Sequence, residues 1–183
     1  MSKRAALAFL DTETTALDER NGRIWEVGAI LRGPGQDEDL QVVFQLSGVE
    51  AGEFEPKARQ VGRFDERYGN DVTMMNPGVA VHALTSWLAG RHLVGANPAF
   101  DQAFLKRLFL AYGVAPTWHH RLIDVEVLAM QALGIPTPMG LRQSADALGI
   151  RYDPAELHTA YGDAELAMRI YDLVVHGTEQ ERN

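Results

Sequence analysis

The sequence predicts an α/β domain, and three observations carry that prediction. Ala5-Ala6-Leu7-Ala8-Phe9-Leu10 is apolar at every position, the pattern of a strand covered on both faces. IWEVGAILRG and DLQVVFQLSG read as two further strands, joined across the Gly, Pro and acid-rich GPGQDED as an antiparallel meander. From GVAVHALTSWLAG onward, helical and strand patterns alternate.

In chain order, LDERNGR after the first strand is a turn. Residues 53 to 78 are the least legible: Arg59, Arg63 and Arg67 recur at helical spacing opposite Val61, Phe64 and Tyr68, while Gly62 argues against a continuous helix. GVAVHALTSWLAG predicts a helix, RHLVGAN a strand, and DQAFLKRLFLAYG a second helix stopped by Gly113. RLIDVEVLAMQALG begins as a strand and turns helical, and PTPMG breaks it. LRQSADALG is a short helix with Leu141, Ala145 and Leu148 on one side, and residues 163 to 176 form the last helix. The expected organisation is one domain over residues 1–176 with a polar, fraying tail over 177–183.

At 183 residues the chain is long enough to bury most of the surface its unfolded form exposes. A formal charge of -8 argues against a broadly basic, nonspecific nucleic-acid coat, although a local basic strip or a bound metal still serves an anionic substrate. With no cysteine there is neither a disulfide framework nor a thiolate zinc site, and the chain suits a reducing cytoplasm. No apolar run reaches membrane-spanning length, so no membrane association is expected. Lys3, Arg4 and the apolar run after them imitate a signal peptide, but the run is short and ends in DTET, so it is read as structure.

The first strand ends in FLDTETTAL, where Asp11 and Glu13 point the same way because a strand repeats every two residues. Unpaired buried carboxylates are costly, so that face must hold a cation, a basic partner or a wet cleft. On a helical wheel at about 100° per residue, Leu105, Leu108, Phe109 and Tyr112 gather around Asp101. Ala167, Ile170, Tyr171 and Val174 likewise surround Asp163. Each of these two acids has an alternative as the N-cap of its helix. If Asp11, Glu13, Asp101 and Asp163 instead meet in one core, each pair at about 4 Å repels by roughly 4 kcal/mol at an effective dielectric near 20, and cations or retained protons are required. An all-oxygen donor set favours Mg²⁺ or Mn²⁺ over zinc, and two such ions can activate a water, grip a phosphodiester and stabilise the departing oxygen. His158, in LHTAYGDAE and five residues before Asp163, is the candidate general base. The other five of the six histidines are taken as structural or solvated.

Together these residues resemble the DEDDh branch of the DnaQ-like 3′-to-5′ exonucleases, the superfamily that includes replicative proofreading subunits, RNase T and oligoribonuclease. LDTETTAL resembles the first motif, LVGANPAFD the second and HTAYGDAELA the third, with the H-x4-D spacing that marks the branch. GRIWEVGAI and LRQSADALGI are similar to the stretches that follow the first motif and precede the third. The resemblance runs from about residue 5 to 176, with residues 47 to 78 poorly matched. It implies an RNase H-like fold: a central mixed five-stranded sheet, its first three strands antiparallel, flanked by helices. It implies that Asp11 touches two divalent cations, that Glu13 and Asp163 support the nucleophile-side ion and Asp101 the other, and that His158 is the base. It also implies that Thr12, Thr14 and Leu17 border the terminal nucleotide and that Phe100 sits near the cleft.

Three departures bear on strand engagement: Ala16 replaces a usual glycine, Ala96 stands where histidine is common, and a region containing FDERYGND replaces the frequent H-G-I-T stretch. The implied partner is a single-stranded nucleic-acid 3′ end, with DNA proofreading or trimming first and RNA processing as the alternative. A DNA polymerase partner, a role in DNA replication and a non-catalytic binding module are further readings. Relatives include both dimers and partner-bound monomers, so no oligomeric state is implied.

Overall fold

The first strand lies at the centre of the molecule because both of its faces are apolar. The computed structural model describes residues 5–33, 38–70 and 72–177. In it β1 (Leu7–Thr14) pairs antiparallel with β2 (Ile24–Arg32) on one side and parallel with β5 (His92–Gly95) on the other. β3 (Leu40–Leu46) continues the antiparallel meander beyond β2, as expected, although residues 34–37 of the joining GPGQDED lie outside the described residues, as does the tail from residue 178. β4 (Met74–Met75) adds to β3 and β6 (Ile123–Asp124) to β5, both parallel, giving the order β4-β3-β2-β1-β5-β6. The sheet therefore has six strands where five were expected. The addition is β4, whose two residues are too short to show any period in sequence.

Strand alternation assigns the two sides. Ala8 and Leu10 of β1 belong to a core with Leu84 and Leu88 from α3 (Pro77–Trp87) and its C-cap, and with Phe104, Leu105 and Phe109 of α4 (Pro98–Ala111). Leu7 and Phe9 belong to the opposite core, with α5 (Val125–Leu133), α6 (Leu141–Ala147) and α7 (Ala160–His176). Continued along β1, that alternation places Asp11 and Glu13 on the α7 side and Thr12 and Thr14 on the α4 side. Among the described residues no helix is long and apolar enough to cross a membrane.

The illegible segment forms a cap over the end of β2. The β1–β2 register shifts between Glu13 and Thr14, leaving Trp25 as the extra residue of a bulge. Trp25 is fully buried and packs with Phe64 edge-on at 5.4 Å and with Phe54 and Tyr68 at 6.4 Å. The helical spacing of Arg59, Arg63 and Arg67 does not make one helix. Gly62 ends α1 (Pro56–Val61), Arg63 turns left-handed at φ 51°, and α2 (Phe64–Arg67) starts in a new direction.

Neither inward-pointing helix acid is an N-cap. Asn97 occupies that position in α4 and Thr159 in α7, where the Thr159 hydroxyl accepts from the Gly162 N–H at 3.0 Å. Asp101 and Asp163 both sit at the fourth helical position, a turn inside, so capping does not account for either.

Candidate active site

Both acids of β1 stand on residues paired with β2, Asp11 opposite Gly28 and Glu13 opposite Glu26, with the bulge just beyond them, and α7 packs against this end. Gly28 lies opposite Asp11 in the register, and a Cβ there would come within 2.2 Å of the Ala160 carbonyl carbon and 2.3 Å of the Tyr161 nitrogen. Only glycine permits this approach of helix backbone to strand. It brings Asp163 to β1: Asp11, Glu13 and Asp163 each offer a carboxylate oxygen, all within 4.8 Å of one another. Asp101 reaches the same strand end from the other face. It is buried, and its Oδ1 accepts from the Thr12 N–H at 2.8 Å and the Thr12 hydroxyl at 2.7 Å.

Electrostatics bind the four acids into one unit. Burial, followed by repulsion from Asp101, Glu13 and Asp163, pushes Asp11 well above the usual carboxylate range. Burial and then Asp163 raise Glu13 to about 8, against a lowering pull from Arg67. Asp101 is raised by burial to about 7, although the two Thr12 hydrogen bonds favour its ionised form. Asp163 is also raised by burial, with His158 pulling the other way. Asp11, Glu13 and Asp163 keep partial solvent access, so an ion can reach the cluster from solvent. Converging hard oxygen donors that cannot all ionise unaided fit a divalent cation.

His158 is exposed, at a left-handed φ of 58°, and its N–H donates to Asp163 Oδ1 at 3.4 Å. With Asp163, Leu141, Arg142 and Gln143 it lines a cavity of about 270 Å³. Of the residues expected around a terminal nucleotide, Thr12 is engaged with Asp101, and the Thr14 hydroxyl donates to the Ala16 carbonyl at 2.9 Å. Leu17 stands 72 % exposed after them. Phe100 is half-buried against Phe104, with ring centroids 4.9 Å apart.

The three arginines at helical spacing take three different kinds of partner. Arg59 pairs with exposed Asp65, Arg63 donates to the Ala155 carbonyl at 2.8 Å, and Arg67 pairs with Glu26. Glu26 was not among the expected site residues. It is buried, sits directly across from Glu13 in the register, and also accepts from Gln45 Nε2 at 3.2 Å and the Ala160 N–H at 3.0 Å. Its signal was present: a lone acid inside the apolar IWEVGAIL needs a buried partner, by the same cost that singled out Asp11 and Glu13 at the end of their apolar strand.

No curated protein sequence matches this chain significantly. Solved structures do. Apo exonuclease I superposes with a TM-score of 0.72 at 18% identity, covering 98% of this chain and 43% of that one. E. coli exonuclease I in complex with a dA16 oligonucleotide gives 0.74 at 18%, covering 97% and 42%. Its complex with a dT13 oligonucleotide gives 0.70 at 20%, covering 98% and 42%. The chain thus spans less than half the length of these proteins, and the likeness is one of fold. The RNase_T family model, described as exonuclease, matches residues 8–171, a span that includes Asp11, Glu13, Asp101, His158 and Asp163. With that match over most of its length, the chain belongs to the RNase_T exonuclease family.

Proposed function

We propose that this chain is a metal-dependent 3′-to-5′ exonuclease that releases nucleoside 5′-monophosphates from single-stranded ends, with DNA as the favoured substrate. The observation that carries the reading is the convergence of Asp11, Glu13 and Asp163 within 4.8 Å, with His158 on the loop beside them. Oligonucleotide-bound exonuclease I among the similar folds supports single-stranded DNA. Asp11, Glu13, Asp101 and Asp163 would hold two divalent cations, Mg²⁺ or Mn²⁺; when bound, these supply Lewis-acid polarisation of a phosphodiester and a nucleophile at neutral pH.

The chain's own residues supply the rest. The carboxylates would fix the cations in place, and so offset the repulsion that they would otherwise exert on an anionic phosphodiester. Thr12 holds Asp101 against β1. His158, exposed above Asp163, takes the proton of the attacking water through an imidazole nitrogen. Leu17 offers the apolar surface on which a terminal base can rest.

The test is a 5′-labelled oligonucleotide with Mg²⁺ or Mn²⁺, run as single-stranded DNA, single-stranded RNA and a duplex with a mismatched 3′ end. Single-residue laddering fastest on single-stranded DNA is expected. Preference for RNA would overturn the substrate assignment, and preference for the mismatched duplex would indicate proofreading. Asp11→Asn is expected to lower the rate by at least about 100-fold without unfolding the chain; undiminished laddering by that variant would remove the acid cluster from the chemistry.

A further inference from the structure

Glu26 poses a question that the proposed chemistry does not answer. Four acids already crowd this strand end, and a fifth buried carboxylate across from Glu13 adds repulsion. Its partners explain its place. One is the N–H of Ala160, the first residue of α7 and a donor with no partner inside its own helix. Another is Gln45, whose Nε2 also donates to the Arg67 carbonyl at 3.0 Å. The third is the Arg67 guanidinium, whose side chain is only 16% exposed and lies over the Trp25 ring at 5.1 Å.

A planar guanidinium locked on one edge by a carboxylate presents its other donors in a fixed direction. In Arg67 these donors reach the Gly62 and His158 carbonyls, both at 2.9 Å. The His158 contact matters because that residue has a left-handed backbone, a conformation that non-glycine residues keep only when the surroundings hold it. Arg63 fastens the same loop three residues earlier, at the Ala155 carbonyl. Segment 62–67 thus clips a loop more than 90 residues further along the chain.

We infer that Arg67, anchored on buried Glu26, is a positioning residue that holds the His158 loop in place above the acids. The inference rests on the proposed exonuclease reading for its kinetic consequence, but not for its structural one. Arg67 is not assigned as a substrate contact: Nη1 donates to the Gly62 and His158 carbonyls, Nη2 donates to Glu26, and its side chain is largely buried.

Two variants test it: Arg67→Met, and Glu26→Gln with Arg67→Met. The double variant removes both charges together and leaves no unpaired buried ion, so it keeps the test open if the single variant fails to fold. The first readout is hydrogen exchange of metal-free protein, followed by peptides spanning residues 155–162. Exchange there is expected to quicken about tenfold or more while the C-terminal half of α7 is unchanged. The second is steady-state kinetics on a labelled single-stranded oligonucleotide. There kcat is expected to fall about tenfold or more with KM within about threefold, as displacement of a catalytic group costs turnover and not binding. Wild-type exchange over 155–162 in the folded double variant overturns the inference. A raised KM at unchanged kcat also overturns it, because Arg67 would then be touching substrate. If wild-type protein cleaves no oligonucleotide, the exonuclease reading fails, and the exchange measurement alone decides the tether.

Discussion

At the scale of single residues, the acids at the end of β1 are suited to binding cations and ill suited to being buried without them. In metal-free protein Glu13 holds its proton up to about 8 and Asp101 up to about 7, whereas the ordinary values are 4.5 and 3.8. Between those limits the native state binds more protons than the unfolded chain, so its stability falls as pH rises. The contribution is complete below the ordinary values and is lost as pH passes through about 7 to 8. Thermal unfolding of metal-free protein from pH 5 to 8 is expected to show a declining midpoint, flattened in Glu13→Gln. Added Mn²⁺ is expected to raise the midpoint more at pH 8 than at pH 5. A steeper decline in Glu13→Gln than in wild type would contradict the burial account. His158 belongs to another category, exposed and joined to Asp163 through its backbone. His158→Ala is expected to lower kcat by about 100-fold or more, the usual worth of a general base, while Mn²⁺ titration of the protein is barely altered. A large loss of Mn²⁺ affinity would make His158 a ligand instead.

At the scale of elements, the decisive contact is α7 against β2. It is among the closest in the molecule, because Gly28 lets the first turn of α7 lie where a side chain would otherwise be. Gly28→Ala places its methyl group against backbone that cannot rotate away. A loss of about 3 kcal/mol or more is expected from overpacking of this kind, measured by urea unfolding. Surviving folded protein is expected to bind Mn²⁺ weakly, since withdrawal of α7 carries Asp163 from Asp11 and Glu13. A folded variant with undiminished Mn²⁺ binding would show that the helix is not what delivers Asp163. The cap over Trp25 is the other element that matters. Its two short helices contain no run long enough to be stable alone, and they persist through the packing of Phe54, Phe64 and Tyr68 on the bulged tryptophan. This is why residues 53 to 78 resisted a reading from periodicity.

At the scale of the whole molecule, the charge of -8 and the fate of the arginines point the same way. Arg20, Arg23, Arg32, Arg59 and Arg67 are each paired with a carboxylate, Arg32 with both Asp39 and Asp172. These pairs neutralise five of the seventeen Lys and Arg residues, and the excess of acidic groups opposes a long electrostatic track along a strand. Engagement confined to about three phosphates predicts a slope of log affinity against log salt of roughly -2 for single-stranded DNA. Fluorescence-anisotropy titrations of a catalytically inactive variant across salt concentrations measure it. A slope several times steeper would require a long basic track.

The sequence by itself determined the identity of the chemical groups and the side of each element on which they stand. Asp11 and Glu13 share a face because a strand repeats every two residues, and Asp101 and Asp163 turn inward with the apolar stripes of their helices. Those periods are local and survive in a single chain read end to end. Only the tertiary structure decided which charges meet. Thr12 finds Asp101 across 89 positions, Arg67 finds His158 across 91, and Glu26 finds Ala160 across 134. An arginine series at helical spacing split into an exposed ion pair at Arg59 and two fastenings of one distant loop at Arg63 and Arg67, and a glutamate hidden in a strand became the base of the clamp. Coulomb attraction and hydrogen bonding act through space, so they depend on which backbone segments packing brings together, and local periodicity carries no record of that.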